Sequence, residues 1–453
     1  MFENRIKSIN NKKMDKNGDF VIYWMQRSIR SSYNHSLEYA VQIANDLKKD
    51  LLVIFCFDRK FSEMNERSCC FLFESLKDVE ENLKKRGIRF IILDSSPLIT
   101  KLLEYSKKSV CIITDRAYLK YLRKIREKVA EESPVRMVQI ESDVIVPVEA
   151  ASSKEEYSAK TLRGKLHKLL EFYINKKFEY IHYEMNYLGE IKTDFDLSNI
   201  HAVLEKLDID KTVKKSDYFT GGENTAKKIL KNFISEKLKG YSKFINNPEL
   251  DYQSNLSPYL HFGNISSLFI AKEVLKSAGN KESTDDFLEE LIVRRELAVN
   301  FVYYNPGYDE FQNMTYSWAY ETMNKHKDDP KEYVYSVKIL EKAETHDDYW
   351  NSAQKEMLVT GKMHGYMRMY WAKKIIEWSE NFDEAYEGIK YLNNKYFIDG
   401  RDENSYAGIA WCFGKHDRAW NERNIFGKIR YMNSNGLKRK FNIDMYVDKI
   451  KKL

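Results

Sequence analysis

Leu51-Leu-Val-Ile-Phe-Cys-Phe57 is an unbroken apolar run of seven residues set between Asp50 and Asp58. It is too short to cross a bilayer, which takes about 20 residues, and its β-branched and aromatic content suits a strand buried on both faces. Working outward, a helical period over 69–86 leads to a second such run at Ile88–Leu93. On the other side Val21–Met25 precedes a helical period at 36–48. Val110–Thr114 and Val135–Ile140 continue the series, with helices expected at 97–106 and 118–132. Strands separated by helices imply βα units and a parallel, Rossmann-like sheet covered on both faces. No G-x-G-x-x-G follows the first strand, so the dinucleotide fingerprint is missing. The crevice at the carboxyl ends of the strands remains available to a ligand.

The chain has 453 residues, more than one hydrophobic core usually serves. After about residue 140 the strand signal fades, and Pro147 and Gly221-Gly222 punctuate a long connection. Helices are expected at Tyr218–Lys239, Ile265–Ser277, Asp285–Tyr304, Asp347–Leu358, Tyr366–Ser379 and Asp383–Lys395. The organisation predicted is a polar N-terminal extension (1–19), an α/β domain (20–145), a connector with helices (146–240) and an all-α C-terminal domain (241–453).

With 43% hydrophobic and 31% charged residues the chain reads as a soluble globular protein. Its net charge of +6 sets 74 basic against 68 acidic residues, so any polyanion site must come from local clustering. Five cysteines without C-x-x-C spacing speak against a disulfide framework or a zinc site, and no metal is expected. The polar first 20 residues carry no signal-peptide core, which points to a soluble intracellular protein, cytoplasmic or nuclear. The abundance of Asn, Lys, Ile and Tyr fits an AT-rich viral or microbial genome.

The block from Tyr349 to Phe441 is aromatic and basic. Met367, Trp371, Ile375 and Trp378 fall on one stripe of the expected helix at 366–379. Six of the seven tryptophans (Trp318, Trp350, Trp371, Trp378, Trp411, Trp420) lie in the last third of the chain. Closely spaced indoles suit an electron relay to a redox group, and equally a core that uses tryptophan as filler. Asp399-Gly-Arg-Asp-Glu-Asn-Ser-Tyr-Ala-Gly408 has the turn-forming composition that lets backbone and carboxylates approach a ligand. From Arg423 to Lys440, basic residues alternate with aromatics, as in a surface that meets nucleic-acid phosphates.

Several longer motifs occur in order: Tyr23-Trp-Met-Gln-Arg-Ser-Ile-Arg30, Ser254-Asn-Leu-Ser-Pro-Tyr-Leu-His-Phe-Gly263 and Phe287-Leu-Glu-Glu-Leu-Ile-Val-Arg-Arg-Glu296. Gly361-Lys-Met-His-Gly-Tyr-Met-Arg-Met-Tyr-Trp371, Asp399-Gly-Arg-Asp402 and Phe426-Gly-Lys-Ile-Arg-Tyr-Met432 follow. Together the chain resembles the class II cyclobutane pyrimidine dimer photolyases, a branch of the photolyase–cryptochrome family, over nearly its whole length after residue 20. Gln26 and Ser28-Ile29 depart from the acidic or polar residues commoner in the family's first motif.

The resemblance implies a helical domain that binds FAD, active as FADH⁻. It places Tyr241, Ser254, Asn255, Leu256 and Ser257 at the pyrophosphate and ribitol. Arg368 and Asp399 border the isoalloxazine, with Arg294, Arg401 and Asp402 also in the cofactor set. Asn393 or Asn404 approaches flavin N5, and the pattern does not choose between them. Glu290 matches the acid that hydrogen-bonds the dimer, and Trp371, Trp350 and Trp378 the relay that refills the flavin. The implied partner is ultraviolet-damaged DNA containing cyclobutane pyrimidine dimers, bound by a monomer without a membrane. Trp411, Lys415, Arg418, Trp420, Arg423, Arg430, Lys438 and Arg439 are expected to face that DNA. A second, antenna chromophore, a deazaflavin or a folate, is admitted in the α/β domain. The rival readings are a cryptochrome-like light receptor, a photolyase for the (6–4) lesion, and a DNA-binding flavoprotein without catalysis.

Overall fold

The computed structural model describes residues 4–58, 64–94, 99–185, 192–277 and 279–453. Its sheet has six strands: β1 (Ile6–Ser8), β2 (Phe20–Met25), β3 (Asp50–Phe57), β4 (Arg89–Asp94), β5 (Ser109–Asp115) and β6 (Met137–Ile140). They lie in the order β1-β6-β5-β2-β3-β4, parallel except for β1, which pairs antiparallel with β6. The apolar runs become strands because both faces of the sheet are covered: every residue of β2 and β5 is buried. Helices His35–Leu47, Glu66–Lys85, Thr100–Ser106 and Lys120–Glu132 supply the cover. The first two positions of the helix expected at 97–106 lie outside the described residues.

The polar N-terminal stretch is not a free extension. It contributes the edge strand β1, and the buried Arg5 guanidinium donates to the carbonyls of Glu141, Val144 and Ile145. Three exposed residues on a sheet edge give no apolar period to read.

The sheet reverses direction of construction between β2 and β5, where doubly wound folds hold their ligands. Here Asp115 fills that point: its carboxylate accepts the backbone N–H groups of Gln26, Arg27 and Ser28 at 2.5–2.8 Å. The loop so fixed sends Arg27 into the helical part, where it pairs with Glu403 at 2.6 Å. Arg295 reaches back to Asp143 at 2.5 Å, so buried ion pairs join the two parts of the chain.

Beyond residue 141 the described residues form helices and loops. Two of the expected long helices are interrupted. The first begins only at Glu223, after Gly222 at φ 118°, and passes into a π turn at Phe233–Lys237. The second starts at Lys281 and carries a π turn at Glu289–Arg294 before resuming at Arg295–Tyr304. The segment at 399–408, read as a turn-rich loop, turns at 399–402 and then becomes a helix, Glu403–Cys412, capped by the Asp402 carboxylate accepting from the Ser405 N–H. No helix among the described residues is long and apolar enough to cross a membrane.

Candidate functional site

The centre of the helical part is Gly365–Trp378, and its surroundings follow from the residues on either side. Asp347 caps the preceding helix, Asp348–Thr360, by accepting from Tyr349 and Trp350 N–H. Gly361 ends it at φ 81°, pressed so closely on Ile398 that a Cβ would lie 2.7 Å from its side chain. His364 then caps the next helix, its Nδ1 accepting from Tyr366 N–H, and burial holds this imidazole neutral with a pKa down at about 3.

The helix is buried nearly all round rather than on one stripe, since Tyr370, Ala372, Lys373, Lys374 and Ile376 are buried too. It therefore places its tryptophans in the core. Trp371 and Trp350 stack with an interplanar angle of 9° and ring centroids 6.4 Å apart. Trp350 meets Trp378 edge-on at 5.8 Å. At the far end Trp378 contacts His346 and Tyr335, and His346 stacks on the exposed Tyr333 at 3.7 Å. At the near end Trp371 meets Phe397 at 6.3 Å, and the Arg368 guanidinium lies 3.7 Å from the centre of that ring.

Arg368 is the junction of the site. It donates to Asn393 Oδ1 at 2.9 Å and to Asp399 Oδ1 at 3.1 Å. Asp399 is held there by the turn at 397–402. Of the two asparagines, Asn393 thus belongs to this cluster, whereas Asn404 is exposed on the following helix.

A cavity of about 410 Å³ opens nearby, lined by Ser254, Asn255, Gln253, Lys362 and His364 among others. Asn255 sits at φ 57°, and the Lys362 ammonium donates to Asn255 Oδ1 at 2.9 Å and Gln253 Oε1 at 2.8 Å. Burial pulls Lys362 below its ordinary pKa, opposed chiefly by Asp399 and Glu356. Among the described residues its ammonium pairs with amide oxygens and no carboxylate, an arrangement suited to an added anion. Sequence reasoning passed over Lys362, although it lies inside a quoted motif. Ser254 Oγ accepts the Leu256 N–H, Leu256 is buried and Ser257 opens a short helix with Pro258.

Tyr241 is buried, packed edge-on against Phe233 and Phe287, and its hydroxyl feels the charge of Glu290. Glu290 lies on the π turn, which shifts the helical register and so re-aims Glu289, Glu290 and Arg294. Its side chain is 60% exposed, desolvation by the surrounding protein raises its pKa, and Arg294, 4.0 Å away, opposes the rise. Arg294 in turn helps to keep His416 neutral, which burial has already brought to about 4. On this π turn Glu290 thus acts on Tyr241, and Arg294 on His416 in the turn that follows Glu403–Cys412.

Beyond that turn is an exposed cation–aromatic stack. Arg430 lies 4.6 Å from the Trp420 ring and 6.0 Å from Trp411, and Arg418 lies 5.2 Å from Trp420. Asp417 receives the Trp420 indole N–H at 3.3 Å and lies 3.7 Å from Arg430. Arg423 is exposed beside Tyr431. Lys438 and Arg439 are exposed on the separate short helix Ser434–Lys440, with Lys438 over Tyr349.

The structure places three of the expected site residues apart from the Arg368 cluster and the exposed stack. Lys415 is not a surface cation: it is 2% exposed, paired with Glu155 and 4.3 Å from the Tyr316 ring. Arg401 lines a different cavity from Lys362 and Ser254, of about 140 Å³, together with Met25, Arg27, Phe55, Tyr121 and His261. Asp402 faces His261 at 3.6 Å in the buried junction with Arg27.

A DNA photolyase family profile matches residues 21–181. The deoxyribodipyrimidine photo-lyase of Methanothermobacter thermautotrophicus is 46% identical over 452 residues, covering 99% of this chain and 98% of its own. An archaeal photolyase from Sulfolobus tokodaii, solved with two FAD molecules, superposes with a TM-score of 0.67 at 16% identity, over 95% of this chain and 89% of that one. A Synechocystis cryptochrome superposes at 0.74 and 15% identity, over 96% and 89%. The full-length likeness to the Methanothermobacter enzyme decides the matter: this chain belongs to the DNA photolyase family.

Proposed function

We propose that this protein is a light-dependent DNA-repair enzyme, a deoxyribodipyrimidine photo-lyase of the class II type that uses FAD to split cyclobutane pyrimidine dimers. The observation that carries the reading is the row of three buried, contiguous indoles running from Trp378 through Trp350 to Trp371 and ending beside the Arg368–Asn393–Asp399 cluster. Such a row suits the passage of electrons to a redox group at its inner end.

The residues present fit the flavin. Arg368 and Asp399 offer a fixed donor and acceptor for a polar ring edge, and Asn393 adds an amide. Lys362 and Ser254 line the cavity where a diphosphate is best received. When bound and reduced, FAD supplies the photoexcited electron that opens the cyclobutane ring.

The chain's own residues prepare the substrate. Trp420, Arg430, Arg418 and Arg423 present stacking faces and positive charge to a DNA strand, which suits a lesion turned out of the duplex. Glu290, with its raised carboxyl, would donate to a pyrimidine carbonyl when protonated or accept from a pyrimidine N–H when ionised. The indole N–H of Trp371 is held by Gln354 at 2.7 Å and that of Trp350 by the Trp371 carbonyl at 2.9 Å, fixing both rings. The cavity at the carboxyl ends of β2 and β3 is the position we assign to a second chromophore, a deazaflavin or a folate.

The test is illumination of the reduced holoprotein with a dimer-containing oligonucleotide. Loss of the dimer in light alone is expected. No loss with flavin bound would return the chain to the light-receptor reading.

A further inference from the structure

The loop that carries Trp420 and Arg423 folds back as a narrow hairpin. Trp420 N–H donates to the Lys428 carbonyl at 2.8 Å, and Arg423 and Gly427 exchange backbone hydrogen bonds at 3.0 and 2.7 Å. What seats this hairpin is the end of helix Ser317–Lys325 and the turn after it. Thr322 Oγ1 accepts the Lys428 N–H at 3.0 Å, and Asp329 Oδ2 accepts the Ile425 N–H at 2.8 Å. Gly427, at φ 51°, lies so close that a Cβ would fall 2.8 Å from the His326 ring.

His326 closes the arrangement. Its Nδ1 is 2.7 Å from Asp329 and its Nε2 is 2.9 Å from Glu422, which belongs to the hairpin. Its side chain is 12% exposed. An imidazole with a carboxylate at each nitrogen satisfies both only as the imidazolium, because the neutral ring has one donor and one acceptor. The charged groups facing the ring are Asp329 and Lys325 from its own turn and helix and Glu422 from the hairpin, and Lys325 also pairs with Glu422 at 2.6 Å.

We infer that His326 is a positioning residue which, while doubly protonated, clasps the 420–428 hairpin in the conformation that presents Trp420 and Arg423 to damaged DNA, and which loosens it on losing a proton. Glu422 first and Asp329 second raise the pKa of this ring above its ordinary value. The sign follows. The clasp is complete below the ordinary histidine value of about 6.5 and is lost as pH rises through the raised one. Lys325 keeps Glu422 neutralised throughout, so loosening is partial.

The inference rests on the assignment of the hairpin to DNA, and the experiment separates the two. Affinity of the holoprotein for a dimer-containing oligonucleotide is measured in the dark at fixed ionic strength between about pH 6 and pH 9. Wild type is expected to weaken across the range by roughly fivefold beyond any change seen in His326→Gln, the size of one well-placed ion pair. His326→Gln binds weakly and flatly, and His326→Arg, which keeps the charge, binds flatly at the strong level. Hydrogen exchange of the 422–428 amides, corrected for intrinsic rates, rises in wild type with pH and not in His326→Arg. Superimposable binding profiles for wild type and His326→Gln overturn the clasp. If Trp420→Ala leaves affinity unchanged at every pH, the assignment of the hairpin to DNA fails, and the clasp's role in DNA binding fails with it.

Discussion

The Trp350 and Trp371 rings lie almost parallel, and the Trp350 indole N–H donates to the Trp371 carbonyl at 2.9 Å. One side chain thereby ties together the helices Asp348–Thr360 and Gly365–Trp378 and fills the middle of the indole row. Trp350→Phe keeps most of the packing while removing the readily oxidised ring and its N–H. Its folding cost is expected to be about 1–3 kcal/mol, that of a smaller aromatic in a close-packed site. Photoreduction of the oxidised flavin by external reductant should nearly vanish, whereas repair by chemically reduced enzyme stays near wild type. Time-resolved flavin absorbance and a dimer-repair assay measure the two separately. Equal loss of both would deny the relay.

Lys362 tests the cofactor cavity without reference to repair. Its ammonium is already drawn below its ordinary pKa by burial, so replacement by methionine removes an unfavourable charge from the apoprotein. Lys362→Met apoprotein is expected to be at least as stable as wild type, yet to retain flavin poorly, with affinity down by about tenfold or more for one lost charge-assisted contact. Flavin titration by fluorescence and thermal melting of apoprotein give the two halves. Unchanged flavin affinity would place the diphosphate elsewhere.

How far these features are legible in the sequence depends on the range over which their causes act. β2, β3 and β5 announce themselves because burial on both faces writes a continuous apolar run. β1 does not, because a three-residue polar edge has no pattern of its own. The tryptophan spacing reads correctly as one helix, but the extent of its burial depends on neighbours that the period does not encode. The π turn at Glu289–Arg294 is invisible to a period count because a single turn is shorter than the window over which a helical period is read. Lys415 misleads for a related reason: within a basic stretch it reads as surface, and its partner Glu155 lies far away in the chain. Arg368 and Asp399 were legible as a pair only through the motifs that hold them, and Asn393 was separated from Asn404 by the fold.

Arg430 stacks on Trp420 while its Nε remains 3.7 Å from Asp417, so the guanidinium keeps donors free for a phosphate. Arg430→Gln should weaken binding to damaged and undamaged duplex alike. It should also lower the slope of log K against log salt by about 0.9, the signature of one lost phosphate contact. Binding isotherms at several salt concentrations measure it. A loss confined to damaged DNA, with the slope unchanged, would instead make Arg430 a support for Trp420.

Glu296 offers a stability test at the junction of the α/β and helical parts. One carboxylate oxygen accepts the Ile145 and Val146 N–H groups, while the other is buried without a partner. Burial outweighs those hydrogen bonds and the nearby Arg295 and Arg5, and raises the carboxyl to about 7. Because the folded value exceeds the ordinary one near 4.5, the contribution is fully present below pH 4.5 and is lost as pH rises through about 7. Above pH 7 the native protein carries a penalty on the order of 3 kcal/mol for ionising this group. Glu296→Gln keeps the acceptor oxygen and abolishes the charge. The variant is expected to match wild type near pH 5 and to exceed it at about pH 8.5 by on the order of 1–3 kcal/mol. Chemical unfolding at the two pH values decides it, and a variant equally destabilised at both would show that the ionised carboxylate is held by its arginine neighbours rather than penalised by burial.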